Sequence, residues 1–298
     1  MNDLHSHFSP KQMARMIKQF AKFWSQDEIA LMTTEQILAK LDELGIPVTV
    51  EEFLTDVASC NGSGKIYEQW ESRFEPMIEG RDADFPWMAA DVLWRRLVPH
   101  QISTEQLADL VQEGYDVLAA GDLGQACQLW LDAWNVLKPR LTPAMRNCDE
   151  VDAHLGWDMY LSNWSQDLET ELHNAAIDRP ELHESRIRFC REFCQCLPDS
   201  RSVIPRMKRA VAESLFLSGR TEEAEREFAL LVEDAPDDPW NLILWGDMYA
   251  SKDHPSYNCE RAEALYRKAL GSDSKEDNII RERIGSLQRP GRKGGRTT

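Results

Sequence analysis

No run of about 18 apolar residues occurs in the chain, so no segment reads as long enough to cross a bilayer as a helix. The first residues, Met1 to His5, also lack a charged start followed by an apolar stretch; the expectation is a soluble, cytoplasmic protein with no membrane partner. Missing too is any alternating apolar and polar run with a hairpin partner, which leaves no candidate strand. There is no His-Glu-x-x-His, no paired Glu-x-x-His, no Gly-x-Ser-x-Gly and no glycine-rich dinucleotide loop. His100, His154, His173, His183 and His254 lie in unrelated segments, so the chain reads as a non-enzyme with no cofactor and no catalytic set. Basic residues are scarce: 34 Lys and Arg stand against 51 Asp and Glu, a formal net charge of −17. Nucleic-acid affinity rests on neutralising phosphates with Lys and Arg, so such a surface repels phosphate backbones and no nucleic-acid partner is expected. Seven cysteines, an odd number without regular spacing, make no disulfide framework and fit a reducing compartment.

What is present is helical periodicity. A chain of 298 residues, 42% hydrophobic, can bury a sizeable core. The spacing predicts helices over residues 10–24, 34–44, 50–59, 67–74 and 85–97, separated by Gly45-Ile-Pro47, Asn61-Gly-Ser-Gly64 and Glu79-Gly-Arg-Asp82. Further on the pattern becomes paired. Val211 and Leu215 lie on one helical face, Gly219 gives a turn, and Thr221 caps a second helix with Glu222 and Glu223 in its first turn. Ala224, Phe228 and Leu231 follow at helical spacing, the small residue allowing close approach and the aromatic filling the gap, until Pro236 stops the helix. A hairpin of this kind leaves apolar surface on both sides and needs neighbours to bury it.

These residues resemble the tetratricopeptide-repeat (TPR) family, whose unit is about 34 residues with small and aromatic residues at these places. Trp245-Gly246 and Tyr249, then Ala262, Tyr266 and Ala269, match the same pattern, with residues 253–260 inserted between the helices. A third copy reads upstream from Leu110, Gly114 and Val117 through Gly121 to Ala126, Trp130 and Ala133. The similarity is clearest over residues 205–271 and extends to 107–140. Between these copies, Trp157, Tyr160, Leu161, Trp164, Leu168 and Leu172 form one apolar stripe, and Pro180 opens a helix through Ile187 and Phe193, which reads as a degenerate hairpin. The fold expected is therefore all-α: a right-handed superhelical stack of TPR-like helical hairpins over residues 101–288, ending in a capping helix at 276–287. A helical region without repeats precedes it at 1–100, and a basic, disordered tail follows at 289–298. The layout also resembles bacterial TPR proteins that end in a SEC-C zinc motif, although the tail's Gly291-Arg292 has no cysteine after it.

Several motifs invite sharper readings. Residues 34–44 and 50–59 have helix-turn-helix spacing, and a DNA-binding regulator with a TPR-like effector region is one alternative. Yet no Lys or Arg falls between Leu41 and Gly64, while Asp42, Glu43, Glu51, Glu52 and Asp56 do, which disfavours docking on phosphates. Cys60-Asn-Gly62-Ser-Gly64-Lys65 looks like a phosphate-binding loop, and Gly62 to Tyr67 resembles the centre of SEC-C. Ser59 and Ile66 stand where the loop needs glycine and a hydroxyl, and Ser59, Asn61, Trp70 and Glu71 stand at the four SEC-C ligand places, so a flexible turn is expected. Cys190, Cys194 and Cys196, with His183 two turns earlier, form the one thiol cluster. A helical metalloprotein or enzyme using it is the second alternative, against the simpler reading of buried thiols and no metal. Trp130, Trp134, Trp157 and Trp164 read as core, whereas Trp240 and Trp245 read either as core or as groove-facing.

The functional expectation is a non-catalytic scaffold that holds a peptide segment of a partner protein in a concave groove lined by the first helices of the hairpins. Candidate binding residues on those helices are Arg206, Arg209, Glu213, Trp240, Ile243 and Asp247. One TPR mode grips a chaperone's terminal carboxylate with a Lys followed four places later by Asn. Here Arg209 is followed by Glu213 and Ile243 by Asp247, and these carboxylates imply a basic or apolar peptide instead. On that reading, charge reversal at Glu213 and Asp247 weakens capture without lowering the melting temperature.

Overall fold

The computed structural model describes residues 23–156, 159–252, 254–271 and 275–287. Among them all regular structure is helical, in fifteen α-helices and two 3-10 turns at Gly80–Asp82 and Lys138–Arg140, with no strand. None of these helices is long and apolar enough to cross a membrane. The chain divides into two compact units, Met1–Gln112 and Glu113–Thr298, the division falling inside the helix Thr104–Ala119. The predicted helix at 10–24, apart from its last two residues, and the tail at 289–298 lie outside the described residues.

In the first unit, α1 (Gln26–Ala30), α2 (Thr34–Glu43) and α3 (Val50–Ser59) each start on a capping box, with Ser25, Thr33 and Thr49 paired reciprocally with Glu28, Gln36 and Glu52. They surround α5 (Phe85–Leu97), whose Phe85, Ala89, Leu93 and Trp94 are fully buried against Ile29, Ile37, Phe53 and Trp70. Instead of a flexible turn, residues 62–64 form an ordered start to α4 (Ser63–Phe74), earlier than the predicted residue 67. Gly62 has no side chain to cap the helix. Glu105, at the start of α6 (Thr104–Ala119), caps it instead by accepting from Ser63 N (3.0 Å) and Gly64 N (2.8 Å). A Cβ at Gly62 would lie 2.8 Å from Glu105 Oε2 and would push that carboxylate off the helix start.

Burial works to raise the pKa of Glu105, but the N–H groups of Gly64 and Ser63 and the Ser103 hydroxyl hold it below the ordinary value. A carboxylate depressed on folding stabilises above its unfolded pKa, and that stability is lost as pH falls through the folded one. Glu105→Gln is therefore expected to cost about 1–3 kcal/mol at neutral pH. Urea denaturation of both proteins from neutral pH to below about pH 4 checks this, the gap between them closing on the acid side.

The second unit is built of paired helices. The C-terminal end of α6 packs on α7 (Leu123–Leu137) so closely that a Cβ at Gly114 would sit 2.1 Å from Trp130 Nε1. α13 (Pro239–Ala250) meets α14 (Cys259–Ala269) in the same way, Gly246 lying under the ring of Tyr266. Between these pairs, α11 (Ile204–Leu217) and α12 (Thr221–Asp234) enclose Ala212, Ala224 and Phe228, all fully buried. The turn is made by Gly219 at φ 82°. Thr221 is not the cap: Arg220 occupies that place, without a side-chain capping bond. First helices also touch one another, α9 (Leu161–Asp178) against α11 and α11 against α13, while α10 (Leu182–Cys196) packs on both α9 and α11.

The expected single stripe through Tyr160 is interrupted. α8 (Cys148–Leu155) stops at Gly156, which adopts φ 65°, and Tyr160 lies just before α9 with 69% of its surface exposed. Trp157 is outside the described residues. Trp130, Trp134 and Trp164 are buried as expected, and Trp245 stacks on Phe228 with centroids 5.7 Å apart. The last helix, α15 (Asp277–Leu287), packs on α14 and buries Ile280. The inserted turn before α14 folds back: Asn258 N donates to Tyr249 O (3.0 Å), and the His254 ring lies 5.1 Å from that of Phe216.

Candidate functional site

Arg209 and Ala210 stand three and four residues after Arg206, and Glu213 four and three after them in turn, which places all of them on one face of α11. That face borders a cavity of about 250 Å³ closed by Glu169 of α9, Arg186 of α10, and Trp240 and Leu244 of α13. Four of the six expected residues, Arg206, Arg209, Glu213 and Trp240, thus come together. The other two do not join them. Ile243 is 0% exposed and belongs to the core. Asp247 accepts from Tyr266 Oη (2.6 Å) and from Arg283 Nε (2.7 Å) and Nη2 (3.0 Å), away from the cavity lining.

The floor of the cavity is a buried ionic network. Glu169 and Arg186 are 2% and 4% exposed. Arg186 donates through Nε (2.9 Å) and Nη2 to Glu169 and through Nη1 to Ser214 Oγ (3.0 Å), and its Nη1 forms an ion pair with Glu213 Oε2 (2.8 Å). The same Nη1 lies 3.1 Å from His173 Nδ1, and Arg206 Nε donates to the second oxygen of Glu169 at 2.6 Å. Burial works to lower the pKa of Arg186, but the Glu169 and Glu213 carboxylates outweigh it and hold the guanidinium charged. Nearby, His183 is 6% exposed with Nδ1 unpartnered, and burial followed by the Arg186 charge lowers its pKa. Protonation of His183 is therefore a cost that grows as pH falls below the ordinary histidine range.

This network decides which charges face a ligand. Glu213 is neutralised by Arg186 and Asp247 by Arg283, so neither is the free carboxylate that the sequence reading assumed. Charge reversal at either would set a like charge against a half-buried or buried arginine, and would lower the melting temperature rather than leave it unchanged. The spare capacity is in donors instead. Arg206 uses Nε and Nη2, and Arg209 uses Nη1 on Asp238 (2.7 Å) and Asn241; the remaining guanidinium N–H groups have no partner among the described residues.

Other candidate sites resolve differently. Cys190 is fully buried, and burial, then the Glu169 charge, pushes its thiol well above the ordinary value. Burial raises Cys194 to about 11. Such thiols stay protonated and make poor nucleophiles. Among the described residues no group of three or more His, Cys, Asp or Glu is placed to hold a metal. In the helix-turn-helix segment, α3 turns Phe53 and Val57 into the core, and its Asp56 accepts from Trp70 Nε1 (3.1 Å) and Arg73 (2.7 Å).

Sequence reasoning found the rim of this cavity and missed its floor. Glu169 and Arg186 were not among the candidate residues. The available signal was the row Ser165, Glu169 and His173, at spacings of four beside the apolar stripe of Trp164, Leu168 and Leu172. The chain matches no protein-family model, no curated protein and no solved structure.

Proposed function

We propose that the chain is a non-catalytic protein-interaction scaffold whose second unit is a superhelical stack of TPR-like hairpins, and whose cavity between first helices receives a side chain from a partner segment. The observation that carries this reading is the rim: half-buried Trp240 and Leu244 stand beside Arg206 and Arg209, which keep unused donors. An amphipathic aromatic next to guanidinium groups is the composition of binding hot spots. At about 250 Å³ the space is below the range of about 300–1,000 Å³ typical of small-molecule sites, and it suits one side chain better than a cofactor. The apolar part of the expected partner keeps its support in Ala210, Trp240 and Leu244. The basic part rested on free carboxylates at Glu213 and Asp247; with both paired, an apolar residue next to an acidic one complements the rim better.

A displayed library of random peptides selected on the full chain tests this, and enrichment of an apolar residue adjacent to Asp or Glu is the expected result. Trp240→Ala should then weaken the selected peptide by roughly 30-fold or more, the size of a hot-spot loss. Because the indole is half-buried, the variant should stay folded by circular dichroism. No enrichment, or unchanged affinity in the folded variant, rejects the groove as the binding site.

A further inference from the structure

The first unit holds a second cavity, of about 410 Å³, between α1, α5 and α6, which falls within the size range of small-molecule sites. Its walls carry charges of both signs: Asp27 on α1 and Asp109 on α6 against Arg95 and Arg96 on α5, with Val92 and Ala30 as the apolar part. The arginines are held in place. Arg95 donates to Asp91 (2.7 Å) and Asp109 (2.6 Å), and Arg96 to Thr34 Oγ1 (3.2 Å) and the carbonyls of Ala30 (3.2 Å) and Met32 (3.0 Å). Asp27 has no partner among the described residues.

Behind the wall lies an unfilled acceptor. Asp91 is 3% exposed, and its Oδ2 takes hydrogen bonds from Gln26 and Arg95, both of which line the cavity, while its buried Oδ1 receives none. The wall charges balance, two carboxylates against two guanidinium groups, so an occupant with a net charge of either sign would leave one side uncompensated. We propose that this cavity is a binding site for a small zwitterion of the free α-amino acid class, its ammonium directed to Asp27 and Asp109 and its carboxylate to Arg95 and Arg96. The site is independent of the groove in the second unit.

Titration calorimetry and thermal shift on the full chain, with the standard L-amino acids as probes and propylamine and propionate as half-ligands, test it. At least one amino acid is expected to bind saturably and raise the melting temperature by mass action, while neither half-ligand matches it. Asp27→Asn should weaken that binding about tenfold or more, the value of a charge-assisted hydrogen bond. It should leave the unliganded melting temperature unchanged, since the exposed Asp27 holds nothing in place. No saturable binding by any amino acid, equal binding by a half-ligand, or unaltered affinity in Asp27→Asn overturns the proposal.

Discussion

Arg186→Met is expected to lower the melting temperature by about 6–12 °C. Removing one partner of a buried ion pair costs about 3–5 kcal/mol, because the remaining charge stays out of water unpaired. The lower end applies here, since Glu169 keeps Arg206 and Glu213 is only partly buried. At about 2–4 °C per kcal/mol for a unit of this size, a loss of about 3 kcal/mol gives the stated shift. Methionine fills most of the arginine stem, so the loss is electrostatic more than steric. Glu169→Gln in the same chain should return part of the stability by removing the excess negative charge that Arg186→Met leaves in the network. Differential scanning calorimetry of the wild type and the single and double variants decides the matter. A fall of under about 2 °C for Arg186→Met would mean that water reaches the network and that the pair is not structural.

The second large effect is steric. Replacing a mid-helix glycine with alanine ordinarily stabilises by about 1 kcal/mol through helix propensity. Gly285 in α15 has nothing within 4 Å of a built Cβ, so Gly285→Ala should show that ordinary gain. Gly114→Ala should do the reverse. Its Cβ would lie 2.1 Å from Trp130 Nε1, and that ring is fully buried and packed edge-on to Tyr115 at 4.8 Å, so it has nowhere to go. Overpacking costs about 1–3 kcal/mol, enough to reverse the propensity gain, and Gly114→Leu should reach or exceed the upper end. Gly246 repeats the situation under Tyr266, whose hydroxyl is fixed by Asp247. Chemical denaturation of the three alanine variants checks the sign at each position; stabilisation at Gly114 would show that the two helices separate easily.

Periodicity carried the helices well because apolar spacing is a local signal. Residues 50–59 and 85–97 are helical over the predicted spans, and Gly219 turns the chain where it was expected to. The errors come from contacts distant in the chain. α4 begins four residues early because Glu105, about forty residues away, satisfies its first N–H groups, and no local pattern announces that. In the candidate site, Arg206, Arg209, Glu213 and Trp240 were legible as one helical face and the start of the next hairpin. The pairing of Glu213 with Arg186 was not, because a charge on a helix looks the same from its neighbours in sequence whether water or another helix covers it. Ile243 shows the converse: its place on a first helix was right, but only packing reveals that it points into the core.

The long turn between α13 and α14 bears on engineering. Insertions at turns are usually the cheapest places to shorten a chain, since loop-closure entropy changes slowly with length. Here Asn258 returns a hydrogen bond to the end of α13, and His254 reaches across to Phe216 of α11, so the turn acts as a strut between neighbouring hairpins. Shortening this turn would remove both contacts and uncouple the adjacent hairpins, leaving the Phe216 ring without the histidine packed beside it.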